Sequence, residues 1–286
     1  MTDTESEPVT PTTRKPGSAP RRDALSWIGC AVAIAGVLIC LWAITTSLAA
    51  ILHGNPAYAV LLAVTLVASA TGIWWTLRPR ARRGGGWRRT GRIVLIVLAA
   101  GWLALTAWLR PYGAVEPALT AMHSDTTVTI SETPTQIVLQ PRKADDSVGV
   151  LFQPGALVDA RAYAAVLRPL AEDGHTVVIA KQPLGIAFFA LGALDSARAD
   201  HPEIQHWVVG GHSLGGTVAA MEATGAAPKG KAPVTGLLLY ASYPANDISS
   251  TLHAAVESIS GTRDGLATPP RSTPPVTTFP PMRTSP

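Results

Sequence analysis

At 286 residues the chain is longer than one average domain, so more than one structural unit is expected, and 47% of its residues are hydrophobic. Three long apolar runs precede residue 110, which assigns the hydrophobic excess to a membrane portion and leaves a remainder of ordinary soluble composition. The net charge of +4 gathers in Arg78, Arg80, Arg82, Arg83, Arg88, Arg89 and Arg92, between two of those runs; no aromatic or base-reading module accompanies them, so they mark topology and argue against a nucleic-acid partner.

Residues 1–25 are polar, charged and proline-rich, too poor in large apolar side chains to offset ordering entropy, and read as a disordered cytoplasmic tail. A three-helix transmembrane region is expected over 26–110. Its first span runs from about Trp27 to Ile51, too long for a signal-peptide core, although a cleaved signal stays as the minor alternative. Cys30 and Cys40 lie about 15 Å apart along one helix, beyond disulfide reach. They read as buried apolar thiols, and no metal-ligand spacing or cofactor motif accompanies them. His53-Gly54-Asn55-Pro56 breaks the helix and forces a hairpin into the second span, about 58–77; the third covers about 93–109, with Trp102, Trp108 and Tyr112 as interfacial anchors. Arg14, Lys15, Arg21 and Arg22 precede the first span and the 53–57 turn has no Lys or Arg, so both basic segments belong in the cytoplasm. Three crossings of the cell membrane then deliver the rest of the chain to the extracytoplasmic side. The spans hold no ionisable residue away from their ends, which argues against a transport pathway.

Beyond Leu119 the pattern becomes strand-like, and a second domain is expected over 117–268. Short strands are expected at 127–130 and 136–139, then a buried strand at 148–152 that enters Gln153-Pro154-Gly155-Ala156-Leu157-Val158-Asp159. Asp159 is a candidate N-cap for a helix carrying Tyr163, Val166, Leu167 and Leu170 at helical spacing. A strand at 175–180, a helix at 186–199, a strand at 207–210 and another at 234–241 follow. Such alternation means a mostly parallel, doubly wound α/β sheet, whose functional loops lie at the carboxyl ends of its strands.

At one such end stands Gly211-His212-Ser213-Leu214-Gly215, a GxSxG turn between an apolar strand and a small-residue helix. In this nucleophile elbow Ser213 takes a strained backbone that exposes its Oγ, while Gly211 and Gly215 stand where a Cβ would meet the crossing chain. The Leu214 N–H at the helix start is a candidate oxyanion donor, and the Pro154-Gly155-Ala156 turn is placed to offer the second through Gly155 or Ala156.

The blocks Gln153 to Asp159, Lys181-Gln182-Pro183-Leu184, Gly211 to Gly216, Ala241-Ser242-Tyr243-Pro244 and Gly261-Thr262-Arg263-Asp264-Gly265 resemble, in that order, the α/β-hydrolase superfamily, specifically its bacterial fold-5 group close to dienelactone-hydrolase-like proteins. The resemblance covers roughly 120–268. It implies acyl transfer on small ester-like substrates without a cofactor, with Ser213 as nucleophile and Asp264 as the acid that orients a histidine; Asp247 is the less favoured acid. The expected base is missing, because no histidine follows His253. His253 precedes Asp264 and breaks the family order, and His212 is expected to pack beside the elbow. From about residue 268 a Pro-dense stretch reaches Pro286 and suits neither strand nor helix, so 269–286 reads as a disordered tail. The abrupt change after Ala267 is what a frameshift, a truncated gene model or a decayed enzyme would leave.

Overall fold

The computed structural model describes residues 23–78, 86–143, 147–224, 227 and 229–265. The N-terminal tail, much of the arginine loop and the Pro-dense tail lie outside the described residues.

Three helices come first: α1 (Ala24–His53), α2 (Pro56–Leu77) and α3 (Gly86–Trp108), all long and apolar enough to cross a membrane. Asn55 accepts the Ala57 N–H as the cap of α2, with Pro56 in the first turn where its missing N–H costs nothing. Small residues line the buried stripe of α1, including Ala33, Gly36, Cys40 and Ala43. A Cβ on Gly36 would strike Ser69 of α2, so close approach of the two helices depends on that glycine. α3 starts at Gly86 rather than near Ile93. Arg88, Arg89 and Arg92 form its first turns, as long unbranched side chains that favour helix.

The second domain is built on a seven-stranded sheet of β1 (Val128–Glu132), β2 (Gln136–Pro141), β3 (Val148–Gln153), β4 (Thr176–Ala180), β5 (His206–His212), β6 (Val234–Tyr240) and β7 (Ala255–Ile259), in the order β1-β2-β4-β3-β5-β6-β7. β1, β2 and β4 pair antiparallel; β4, β3, β5, β6 and β7 run parallel. Alternate residues of the central strands feed opposite sides of the sheet. Leu151, Trp207 and Val209 enter one apolar cluster, while Val150, Phe152 and Val208 enter the other.

α4 (Ala164–Glu172) follows a 3-10 turn at Ala160–Tyr163, where Asp159 accepts the Arg161 N–H as the sequence implied. The helix expected over 186–199 is shorter. A 3-10 turn at Ala187–Ala190 gives way to Gly192 at φ 94°, so α5 covers only Ala193–Asp200. A left-handed residue cannot continue a right-handed helix, and glycine adopts that conformation without a Cβ penalty. α6 (Leu214–Ala223) follows β5 directly.

The domain sits on one end of the helical hairpin. Asn55 Nδ2 donates to the Lys181 carbonyl at 3.1 Å, and Ser47, where α1 kinks, donates to the Pro111 carbonyl at 2.9 Å. After α3 the chain is strapped to the turn beyond β3. Tyr112 N donates to the Leu157 carbonyl at 2.7 Å, and Asp159 N donates to the Tyr112 carbonyl at 2.9 Å. Leu157 shares one apolar cluster with Ile51, Tyr58, Leu62 and Leu109, flanked by Ala156, Leu184 and Ile186.

Candidate active site

β5 ends at His212 and α6 begins at Leu214, so Ser213 alone carries the reversal, at φ 50° and ψ −122°. Such a conformation costs a non-glycine residue about 1–3 kcal/mol and persists only where the surroundings impose it. Here the carbonyl of Ser213 accepts from Gly216 N at 3.0 Å, Thr217 N at 3.3 Å and Ser242 Oγ at 2.6 Å, while its N–H donates to the Tyr240 carbonyl at 3.0 Å. The side chain is exposed, and its Oγ has no hydrogen-bond partner among the described residues. A Cβ on Gly211 would fall on the Gly215–Gly216 backbone, and one on Gly215 on the carbonyls of Gln153 and Pro154. Strand, helix and the turn after β3 therefore converge on the serine with no room for side chains between them.

The N–H groups of Leu214 and Ala156 have no hydrogen-bond partner among the described residues. The Gly155 N–H does have one: it donates to Tyr163 Oη at 2.9 Å. Of the two candidates in that turn, Ala156 is the one whose amide is unspent. The rest of the turn is held by Leu157 N on the Gly185 carbonyl at 2.8 Å and Val158 N on the Gly155 carbonyl at 3.1 Å.

Tyr163 reaches onward to the elbow, with Oη 2.8 Å from His212 Nδ1. Burial pushes the phenol up to about 12, so it stays neutral. Its oxygen accepts from the Gly155 N–H and shares a second hydrogen bond with His212 Nδ1, whose direction follows the imidazole tautomer. Burial also depresses the His212 pKa, partly offset by the nearby charge of Asp264. The ring fills the space beside Gly155, where a Cβ would come within 2.5 Å of Nδ1. His212 packs beside the elbow with its Nδ1 engaged by Tyr163.

Behind the turn lies a second polar layer. Fully buried Gln153 donates through Nε2 to Glu222 Oε2 at 3.2 Å, and Gln182 Nε2 donates to Gln153 Oε1 at 3.0 Å and to the Pro154 carbonyl at 2.9 Å. Glu222 also accepts from the N–H groups of Gly192 and Leu194, tying α6 to the start of α5. Gln182 Oε1 is buried without a partner among the described residues.

Asp264 follows β7, at the same sheet edge as Ser213, with its N–H on the Gly261 carbonyl at 3.0 Å. Asp247 is exposed and bonded to Ser249 N at 2.9 Å, the arrangement of a local turn. His253 lies before β7, which runs parallel to β6; the strand separates it from the carboxyl edge by about 16 Å. That placement removes it as a substitute base. Sequence reading gives Tyr163 only as an apolar helical position and Gly216 and Ser242 only as members of matching blocks, and assigns Glu222 no role, because these roles arise from contacts across long stretches of chain.

Residues 149–276 match the model of the Alpha/beta hydrolase family. Among solved structures, the esterase LipW from Mycobacterium marinum is similar at 21% identity and a TM-score of 0.35, over 44% of this chain and 48% of that one. An esterase of Pyrobaculum calidifontis gives 19% identity and a TM-score of 0.35, over 46% and 52%. A bacterial heroin esterase gives 21% and 0.36, over 55% and 65%. The chain thus spans about half the length of the first two of these structures. No curated protein matches it. With helices flanking a mostly parallel sheet, the serine elbow after β5 and the sequence match over 149–276, the chain carries an α/β-hydrolase fold behind three apolar helices.

Proposed function

We propose that the chain is a membrane-anchored serine hydrolase of ester-like substrates, with its catalytic domain on the extracytoplasmic side. The observation that carries this reading is Ser213: exposed, strained, and next to the unspent N–H of Leu214, with that of Ala156 offered by the turn after β3. Ser213 Oγ attacks the ester carbonyl, the two N–H groups receive the oxyanion, and the alcohol leaves with the serine proton; water then releases the acid from the acyl-serine. Asp264 stands at the same edge as the acidic member. The anchoring half of the reading is supported by α1–α3, whose 53–55 turn and α3 carboxyl end both adjoin the domain, as three crossings require.

One observation favours a second reading, a hydrolase-like membrane protein that binds a ligand without turning it over. Among the described residues His253 is at the far edge, and His212 Nδ1 is engaged by Tyr163. Removal of the histidine of a serine triad lowers turnover on the order of a million-fold. The full chain is therefore treated in detergent with a fluorophosphonate and assayed on a short p-nitrophenyl ester, beside Ser213→Ala. Covalent capture that disappears in Ser213→Ala supports the hydrolase; absence of capture and of ester cleavage in a folded protein supports the binding reading.

A further inference from the structure

The loop between β4 and α5 presents Phe188, Phe189 and Leu191 to the outside, with Phe189 62% exposed. Three large apolar side chains within four residues are unusual on a surface that meets only water. Their position explains them. The same loop, through Leu184 and Ile186, packs on the cluster that contains Tyr58 and Leu62 of α2. α2 has 22 residues, about 33 Å of helix, and needs nearly all of it to cross a hydrocarbon layer of about 30 Å. Where α2 is a span, its first turns would lie at the membrane boundary, and the loop resting on them would lie at the same level.

Other features mark that level. Arg110, following α3, stands over the rings of Trp42 at 4.9 Å and Tyr112 at 5.5 Å, a cation among aromatics as found at a headgroup layer. Tyr112, 58% exposed, is bridged by its backbone to the turn that carries Ala156. The loop of Phe188, Phe189 and Leu191 follows β4, and the turn to which Tyr112 is bridged follows β3; both leave carboxyl ends of parallel strands, as Ser213 does after β5. The strands point their carboxyl ends, and the site with them, toward the helices rather than away from them.

We propose that the site faces the bilayer and that its substrate is an amphiphilic ester resident in the membrane, which reaches Ser213 past Phe188, Phe189 and Leu191 while its hydrocarbon chain stays in the lipid. The substrate class rests on the hydrolase reading, and the seating of the loop rests only on the anchoring one. An apolar loop beside the spans shortens the path by which an ester at the headgroup layer meets the serine, and soluble esters gain nothing from it.

Two measurements on the full chain, in vesicles of phosphatidylcholine and phosphatidylglycerol, separate these parts. An environment-sensitive fluorophore is attached through Phe189→Cys, or through Asp173→Cys beyond α4 at the amino edge of the sheet. The proposal expects quenching at 189 by lipid spin-labelled near the headgroup, and quenching at 173 by aqueous iodide alone. Equal iodide access at both sites, with no lipid quenching at 189, overturns it. Ser213 is then titrated with a long-chain, membrane-partitioned fluorophosphonate and with a short soluble one. Replacing Phe188 and Phe189 together by Asp is expected to slow the long-chain reaction about tenfold and leave the short one unchanged. Equal effects on both probes, or on neither, overturn the substrate claim. Silence of Ser213 toward both probes overturns the hydrolase reading and the substrate claim with it, and lipid quenching at 189 then shows which part failed.

Discussion

The Tyr163 hydroxyl stands 2.8 Å from His212 Nδ1 and joins two elements that the chain separates by 49 residues, the start of the first crossover helix and the end of the strand before the nucleophile. Accepting from Gly155 on one side and hydrogen-bonded to His212 on the other, it fixes the turn after β3 against the elbow. Tyr163→Phe leaves the Gly155 N–H and Nδ1 without partners and is expected to cost about 1–3 kcal/mol. Burial depresses the folded-state pKa of His212, so the ring lowers stability as pH falls through its unfolded value near 6.5. Urea unfolding at pH 5 and pH 8, with histidine resonances followed by NMR, checks both statements.

Ser242 is 2% exposed and donates to the carbonyl of the strained serine at 2.6 Å. Gly216 leaves it the room, since a Cβ there would meet Ser242 Oγ. Ser242→Ala should therefore relax Ser213 from its left-handed conformation and lower stability by about 1 kcal/mol. A loss of fluorophosphonate reactivity larger than the loss of folded protein, at matched temperature, identifies the effect as one on the elbow.

The elbow was legible because its requirements are local. Gly211 and Gly215 lie two residues either side of Ser213, and a strand entering a small-residue helix is written in consecutive letters. Long apolar runs announced α1 and α2 for the same reason, while α3 began earlier than expected because its arginines suit a helix as well as a loop. Gly192 was harder to place: its φ of 94° ends the region that apolar content alone joined into one helix. Tyr163 was invisible as a polar group, since its partners Gly155 and His212 meet it only after β3, α4 and β5 have packed. The orientation of the site toward the helices was equally hidden, because it depends on Tyr112 pairing with Leu157 and Asn55 reaching Lys181.

The strap after α3 depends on one buried ion pair. Arg161 and Asp159 have side chains only 8% and 1% exposed, at 2.7 Å, and Asp159 also receives the Ala114 N–H on Oδ2 at 3.3 Å. Arg161→Met removes the cation and leaves a buried carboxylate with two backbone donors. The expected cost is about 3–5 kcal/mol, well above that of an exposed pair. If Asp159 anchors the 110–114 segment to the turn, limited proteolysis should cut near residue 113 in Arg161→Met at temperatures where the parent chain is intact. Asp159→Asn in the same background should recover part of the lost stability by removing the uncompensated charge.

Glu222 gives the reverse dependence on pH. Burial raises its pKa, against the opposing pull of its bonds from Gln153 and from the N–H groups of Leu194 and Gly192. A carboxyl whose folded pKa is raised adds stability that is complete below its unfolded value of about 4.5 and is lost as pH rises through the folded value. At pH 8 the ionised group is therefore held at a cost that only its three donors offset. Glu222→Gln keeps an acceptor for the α5 amides and removes the charge, so thermal unfolding at pH 8 should occur at the same temperature as in the parent or higher. At pH 4 the parent's carboxyl is already protonated and the two proteins should converge. Glu222→Leu removes the acceptor too, leaves the Gly192 and Leu194 amides and Gln153 Nε2 unpaired, and should unfold earlier at both pH values. A Glu222→Gln protein less stable than the parent at pH 8 would mean that the donors outweigh the burial, with Glu222 a net stabilising anion of the α5–α6 junction.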